Sequence, residues 1–210
     1  MKTFLLVLAL LSGILGLTSP SQAQSVNQNR QSFFETGRLR SDDTLWFRSP
    51  PDGIIPTRER SNAWQLVVFR QGGVSFWMPP GVLSREDVAL TTSLGDLNFQ
   101  TLDSSQADRR YVAGYAPNLT PQQVKNPLIL LDALQQKVAP SDQFKLTNNR
   151  RVNLDQYPGR ELTFRSAEET IIFRAYLVQD RAYVIGIRFT GSDQQERASR
   201  AFLNGLQLLP

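Results

Sequence analysis

The sequence predicts an α+β protein, an α/β/α sandwich whose mainly antiparallel central sheet is flanked by helices. Three observations predict this fold class. Short β-rich runs separated by turn sequences occupy most of residues 63–210. Two segments of the same stretch instead have apolar residues at the three- and four-residue spacing of a helix. The last predicted strands are apolar on both faces, so a layer of structure is expected to cover each face.

Three parts of the chain are predicted. Residues 1–23 have the pattern of a cleavable signal peptide, with Lys2, an apolar run and cleavage after Ala23; a retained N-terminal anchor is the alternative. Residues 24–62 have the composition of a polar, proline-containing linker. Its apolar segment Leu45-Trp46-Phe47 is expected to dock on the domain, with partner binding as the alternative. Residues 63–210 form one domain of ordinary size, and no transmembrane segment is expected after cleavage.

The composition excludes several classes of function. The chain has no Cys and no His, which rules out disulfides, thiolate or Ser-His-Asp catalysis and His- or Cys-ligated zinc. Cleavage after Ala23 removes one Lys and no acid, so the formal charge falls from +4 to +3. Because this small positive charge is interleaved with acids, we expect no nucleic-acid binding. We predict no catalytic residue, no cofactor and no metal.

The first half of the domain is predicted to be β-structure. Residues 64–70 and 74–78 are β-rich and flank Gly72-Gly73, so they are expected to form a hairpin. Turn residues separate further short runs of the same composition. These runs predict strands at residues 88–94, 97–102 and 110–115.

The apolar period then changes from that of a strand to that of a helix. A helix of about 18 residues is predicted from Thr120 or Pro121 to Pro140, with Thr120 as a candidate N-cap. A second helix is predicted near the C terminus, where Ser192 or Asp193 can cap it. The two apolar stripes consist of Val124, Leu128, Leu131, Leu134 and Val138, and of Ala198, Phe202, Leu203 and Leu206.

Three strands are predicted between the helices, the first at residues 152–156 leading into 160–165, the others at 170–178 and 181–190. Gln179-Asp180 suits a two-residue loop and residues 166–169 suit a four-residue loop. These loops place Glu161 opposite Arg174, and Arg174 opposite Ile185. One face then carries Leu162, Phe164, Ile171, Phe173, Ala175, Leu177, Ala182 and Val184. The other carries Thr163, Ile172, Tyr176, Val178, Tyr183, Ile185, Ile187 and Phe189.

Four sequence motifs, together with the order of elements, resemble a PsbP-like domain over residues 63–210. The resemblance implies an α/β/α sandwich, and it implies an accessory protein of the thylakoid lumen or the periplasm, since many such domains have no known catalysis. Photosystem-associated members assist cofactor retention partly through histidines, which this chain lacks. The motifs are GVSFWMP at residues 73–79, YPGREL at 157–162, RAYLV followed by RAY at 174–183, and AFLNGL at 201–206.

Glu161 and Arg174 form the sharpest ion pair that the pattern predicts. Opposite charges on neighbouring strands stabilise a sheet by roughly 0.2–1 kcal/mol, so a structural pair is expected. Recognition of a ligand carboxylate by Arg174 or Arg160 is the alternative.

Charged clusters give a second set of candidates. The pairs Arg109-Arg110 and Arg150-Arg151 flank predicted strands and are predicted to form a basic patch with Arg160, Arg165 and Arg188 if the fold brings them together. Such a patch suits an acidic protein or an anionic lipid surface; scattered surface arginines are the alternative. The acid pairs at residues 42–43 and 168–169 lack the spacing of a calcium loop and are interpreted as solvated turns.

These observations predict an exported, non-enzymatic accessory or binding protein that acts through its surface on a protein assembly or at a membrane face. Its compartment is the periplasm or the thylakoid lumen, and the presequence does not choose between them. A small-molecule-binding or carboxylate-dependent hydrolytic domain, with a pocket between sheet and helices, is the alternative. A purely structural component of the cell envelope is a third hypothesis. The oligomeric state is not predicted.

Overall fold

The computed structural model describes residues 60–139, 141–191 and 196–210. The predicted signal peptide, most of the linker, the segment Leu45-Trp46-Phe47 and the caps Ser192 and Asp193 lie outside these residues. The described chain forms eleven strands and three helices. The strands are β1 Arg60–Ser61, β2 Gln65–Phe69, β3 Val74–Met78, β4 Gly81–Thr92, β5 Gly95–Ser105, β6 Arg109–Ala116, β7 Lys145–Leu154, β8 Tyr157–Arg165, β9 Glu169–Val178, β10 Arg181–Thr190 and β11 Gln207–Leu208; the helices are α1 Pro121–Val124, α2 Pro127–Gln135 and α3 Glu196–Leu203.

An eight-stranded antiparallel sheet forms the centre of the protein, in the order β1-β4-β5-β6-β10-β9-β8-β7. The predicted register is confirmed, because Glu161 lies opposite Arg174 and Arg174 lies opposite Ile185. The turn between β4 and β5 comes earlier than predicted. Thr92 Oγ1 accepts a hydrogen bond from Leu94 N and donates one to Gly95 O, so the turn falls at residues 93–94.

One strand of the central sheet was only partly predicted. The sequence predicted a strand only from residue 152, whereas β7 already begins at Lys145 and is joined to β8 by a two-residue loop. Most of its side chains are exposed on both faces of the sheet. Such a strand needs no apolar alternation, which is the signal that strand prediction depends on.

The single helix predicted from Thr120 to Pro140 is wrong, because the structure has two short helices there. The predicted N-cap is confirmed: the Thr120 hydroxyl accepts a hydrogen bond from Gln123 N. Pro127 lacks an N–H and clashes with a preceding helical turn, so the chain extends at Asn126, whose side chain caps α2. The break turns Leu128 outward, where it is 41% exposed, and Leu130 is buried instead.

A second, three-stranded sheet takes the place of one expected helical layer. It has the order β11-β3-β2 and, with α3, packs on one face of the central sheet, while α1 and α2 pack on the other. Helices alone therefore cover one face of the central sheet, as predicted, whereas on the other face α3 shares the covering layer with the small sheet. The small sheet is attached through its Gly72-Gly73 turn, where Gly72 O accepts a 2.5 Å hydrogen bond from the Tyr183 hydroxyl.

Two hydrophobic cores lie on the two faces of the central sheet. The helix-covered core contains all eight apolar residues predicted for its face, together with residues of β4, β5, β6 and α2. The other core contains seven of the eight predicted residues, with Ile172 only partly buried; Thr163, half-buried, is outside it. Within β3, Phe76 and Met78 are core residues, but Trp77 is 48% exposed.

Candidate functional site

Glu161 lies at the centre of a network of three charged residues. Its Oε2 accepts a hydrogen bond from Arg174 Nε, as the sequence predicted, and its Oε1 accepts one from Arg150 Nε; both distances are 2.6 Å. Arg174 also donates to Leu203 O and Asn204 Oδ1 at 2.8 Å, at the C-terminal end of α3. Arg174 therefore holds α3 on the sheet, which is a structural role.

The electrostatics of this network favour ionised side chains. Burial by itself raises the pKa of Glu161, but the hydrogen bonds and charges of Arg150 and Arg174 outweigh it, so the pKa lies below its ordinary value of 4.5. Burial raises the pKa of the neighbouring Tyr176 above 10.0. Glu161 is thus a permanently charged pairing group at neutral pH rather than a proton-transfer group.

Arg160 anchors α2 on the opposite face of the sheet. Its Nη1 binds the Asp132 carboxylate and also donates to Gln135 Oε1 at 3.3 Å. Since the Arg160 side chain is only 13% exposed and already has an acidic partner, it is poorly placed to recognise a ligand carboxylate.

Arg110 lies in a buried polar cluster at one end of the helix-covered face. It binds Glu86 and Asp103 at 3.0 Å each, and Asp103 also accepts a hydrogen bond from Ser84. Asp103 is 1% exposed. Glu86 and Asp103 were not predicted from the sequence, because only the pairing of β4 with β5 brings them near each other.

The predicted basic patch does not form as a single surface. Arg110 and Arg188 lie on β6 and β10 and are bound to acids, Arg188 to Glu169 at 2.6 Å. Arg151 and Arg165 instead lie on β7 and β8. Arg110 and Arg188 are therefore neutralised within the fold, and Arg151 and Arg165 form a group apart from them.

The separate half makes up an exposed basic surface, which we call the basic edge: Lys145, Arg150 and Arg151 on β7 and Arg165 on β8. All four are exposed, and Lys145 lies directly opposite Arg165. Lys145, Arg151 and Arg165 make no ion pair with any described residue. Arg150 shares Glu161 with another arginine. Arg150 and Arg151 are adjacent in the sequence, but their position at the edge of a sheet was not predicted, because no strand was predicted before residue 152.

Acidic residues form no comparable site in the described part of the chain. The pair at residues 42–43 lies outside it, and Glu169 of the other pair binds Arg188. No group of three or more His, Cys, Asp or Glu residues among the described positions is arranged to hold a metal ion.

A cleft of about 570 Å³ lies between the β4–β5 hairpin and the segment that precedes α1. Gln123 holds the two together, since its Nε2 donates to Asp96 O at 3.2 Å. Asp87 and Asp96 line the cleft, but Asp96 lies opposite Thr91, four residues along β4 from Asp87. That is about 13 Å along a strand, too far for two carboxylates to act on one bond.

Comparison with solved structures shows a structural likeness. No known protein family and no curated protein matches the sequence. The chain is similar to the solution structure of cyanobacterial PsbP (CyanoP) from Synechocystis sp. PCC 6803, with 11% sequence identity and a TM-score of 0.43. The similarity covers 76% of this chain and 99% of that one. At this identity and TM-score it assigns neither a family nor a function. Separately, the helices within the described residues are too short or too polar to cross a membrane.

Proposed function

We propose that this protein is a non-enzymatic accessory or binding module that acts through its basic edge on an acidic surface of a protein assembly. The observation that carries the proposal is that Lys145, Arg151 and Arg165 on β7 and β8 have no acidic partner among the described residues. Elsewhere in the central sheet, a carboxylate binds each of Arg110, Arg160, Arg174 and Arg188. A solvated cation that does no structural work is available to an external anion.

The electrostatics of this end of the sheet support an acidic partner. Six cationic side chains lie on β7, β8 and β9, and two carboxylates, those of Asp132 and Glu161, pair with them. The excess of positive charge is therefore local, although the whole chain carries only +4. Attraction of this kind falls with salt, because the Debye length shrinks from about 10 Å at 0.1 M to about 3 Å at 1 M.

The available residue types support a role without catalysis. The chain lacks His and Cys, which leaves carboxylates as the main candidates for acid–base work. Glu86, which is half-buried, and the buried Asp103 are both bound to Arg110. Carboxylates paired in this way join neighbouring strands, which favours a structural role for them.

The setting of this activity comes from the sequence. The segment at residues 1–23 has the features of an export signal, and we place the mature protein in the periplasm or the thylakoid lumen. A membrane face remains the alternative target of the basic edge, because anionic headgroups attract clustered cations by about 1 kcal/mol per residue.

The test is capture from native membranes at low salt with two matched triple variants. One reverses the basic edge with Lys145→Glu, Arg151→Glu and Arg165→Glu. The control reverses three exposed cations elsewhere, with Arg70→Glu, Lys125→Glu and Arg197→Glu. Both variants change the net charge equally. We expect the edge variant to lose at least about tenfold in captured partner and the control to behave as the wild type.

Equal losses in the two variants would show that only net charge matters and would contradict the proposal. Extraction of the membranes with detergent before capture separates a protein target, which stays bound, from a lipid target, which does not.

The cleft between the β4–β5 hairpin and α1 supports a second candidate function, the binding of a small molecule. Its rim is acidic and amide-rich, with Asp87, Asp96, Asn98 and Gln100, which suits a cationic or polyhydroxylated ligand. A screen of such compounds by thermal shift, repeated with Asp96→Asn, tests it: a ligand that stabilises only the wild type would favour this function over surface binding.

A further inference from the structure

We infer that β7 binds its partner by strand addition: an extended, acidic segment of the partner protein pairs with the open edge of the central sheet. The inference rests on the proposed function, since it specifies how the acidic partner is held. β7 is the last strand of the sheet and pairs with β8 alone among the described strands. Its ten residues give an edge of about 33 Å.

Pro158 fixes the direction of the backbone groups on this edge. It lies opposite Asn153 in the antiparallel pairing of β7 with β8. In such a ladder, residue pairs alternate between those that exchange both backbone hydrogen bonds and those that exchange none. Because Pro158 has no N–H, its pair belongs to the second set. Arg151 and Asn149, two and four residues earlier, belong to the same set. The backbone N–H and C=O of all three β7 residues therefore point away from β8.

These outward groups are accessible to another chain. Asn149, Arg151 and Asn153 are all exposed, β7 pairs with no described strand other than β8, and no backbone hydrogen bond of a described turn or loop involves these three residues. The irregularity in pairing lies between Leu146 and Asn148, before the first of the three. The stretch from Asn149 to Leu154 is therefore regular and presents three donor–acceptor pairs, the arrangement by which exposed edges accept peptides.

The charges decide between a second copy of the chain and an acidic partner. β7 carries Lys145, Arg150 and Arg151 and no acid. Two β7 strands paired edge to edge would bring these cations close to one another, and like charges on facing strands are destabilising. The same side chains protect the edge against self-association, but they attract an incoming strand with Glu or Asp.

Both faces of the added strand would meet a cation. Arg151 pairs with Arg160 across the strands and lies on the same face of the sheet, whereas Arg150 pairs with Glu161 and lies on the other face. Carboxylates on either face of the partner strand thus have an arginine or lysine neighbour. The expected segment is extended, about six or seven residues long and acidic at several positions.

The test uses a fluorescently labelled, blocked heptapeptide of alternating glutamate and threonine, with binding measured by anisotropy at low salt. A second peptide has the same side chains but an N-methyl group at every internal backbone nitrogen, which removes the hydrogen-bond donors from both edges of the strand without changing charge. We expect the N-methylated peptide to bind the wild-type protein at least about tenfold more weakly, because two or three backbone hydrogen bonds are lost.

Two variants of the protein test the backbone hydrogen bonds that β7 would make to the peptide. Asn149→Pro removes one outward N–H and leaves the bonds to β8 intact, as proline does on edge strands. Asn149→Ala is its matched control, since both lose the 2.9 Å bond from Asn149 to Gln135 but alanine keeps the N–H. Proline is expected to weaken binding about tenfold relative to alanine. Circular dichroism checks that both are folded.

The outcomes separate this inference from the proposed function. If both peptides bind equally and only the charge-reversed edge variant loses binding, strand addition is wrong and the basic surface acts by charge alone. If charge reversal also has no effect, the proposed function fails as well. Equal binding of wild type and Asn149→Pro to phosphatidylglycerol vesicles, with no binding of the peptide, would replace strand addition by a lipid surface. The N-methyl comparison uses the wild-type protein and remains decisive even if proline disrupts the strand.

Discussion

The substitution Glu161→Gln is expected to lower the free energy of unfolding by about 3 kcal/mol. The carboxylate is 8% exposed and accepts hydrogen bonds from two arginines at 2.6 Å. Removing one partner of a buried ion pair costs about 3–5 kcal/mol. The lower end applies here, because Arg174 retains Leu203 O and Asn204 Oδ1 as acceptors and Arg150, which is 58% exposed, returns to water.

Thermal and urea unfolding measure this loss. For a domain of this size, 1 kcal/mol shifts Tm by about 2–4 °C, so Tm is expected to fall by about 6–12 °C with an unchanged urea m-value. The two arginines give an internal comparison. Arg150→Ala removes an exposed partner and should cost no more than about 1 kcal/mol, whereas Arg174→Met also releases the end of α3 and should cost more.

A double-mutant cycle then measures each pairing by itself. The coupling free energy of Glu161 with Arg174 is expected to exceed its coupling with Arg150. Equal couplings, or a loss below about 1 kcal/mol for Glu161→Gln, would refute the reasoning that burial makes this network important.

Three further predictions concern stability. The pKa of Glu161 is lowered in the folded protein, so its contribution to stability is present above its unfolded pKa of about 4.5 and is lost as the pH falls through the lower folded pKa. Denaturant titrations between pH 7 and pH 3 should therefore show that the difference in unfolding free energy between wild type and Glu161→Gln disappears at the acid end. Gly159→Ala should lower the free energy of unfolding by at least about 2 kcal/mol, since the new Cβ would lie 2.6 Å from a backbone oxygen and overlap the Tyr176 ring. Gly191→Ala, where the new Cβ meets no neighbour but φ is +69°, should lower it by only about 1 kcal/mol. Equal Tm values for the two variants would contradict this. Thr120→Ala removes one side of the capping box of α1 and should cost about 1 kcal/mol, with Thr120→Ser as the control that keeps the cap.

The register and the two apolar faces of β8, β9 and β10 were predictable from the sequence. Short loops of fixed length determine which residues lie opposite one another, and side chains alternate strictly from face to face. The pairing of Glu161 with Arg174 followed from these loop lengths. The second partner of Glu161, Arg150, could not be predicted in this way, because the strand that carries Arg150 has no apolar pattern.

The layers that cover the sheet were harder to predict. An apolar stripe shows that a segment packs on something, but not on what. The hairpin of β2 and β3 has the composition of any sheet strand, yet it forms a separate sheet with β11 at the far end of the chain. The break before α2 was visible as Pro127, but the apolar period continued across it.

The candidate site was predictable by residue type and not by position. The sequence predicted one group of arginines, Arg109, Arg110, Arg150, Arg151, Arg160, Arg165 and Arg188. Which of these are neutralised depends on contacts between distant strands, such as the contact of Arg110 with Glu86. Only the fold separates the structural arginines from those that remain exposed.

The pairing of β6 with β10 has a consequence for how the protein folds. The strands from β4 to β6 and from β7 to β10 are two meanders in which each strand pairs with its neighbour in sequence. Among the described strands, only the β6–β10 seam joins the meanders, and it pairs Ala116 with Ala182 across a long loop of chain that contains α1, α2 and the strands β7, β8 and β9. Closing that loop costs entropy before its contacts form. Substitutions at the seam, such as Val184→Ala, should therefore slow refolding, whereas substitutions within a hairpin should mainly speed unfolding.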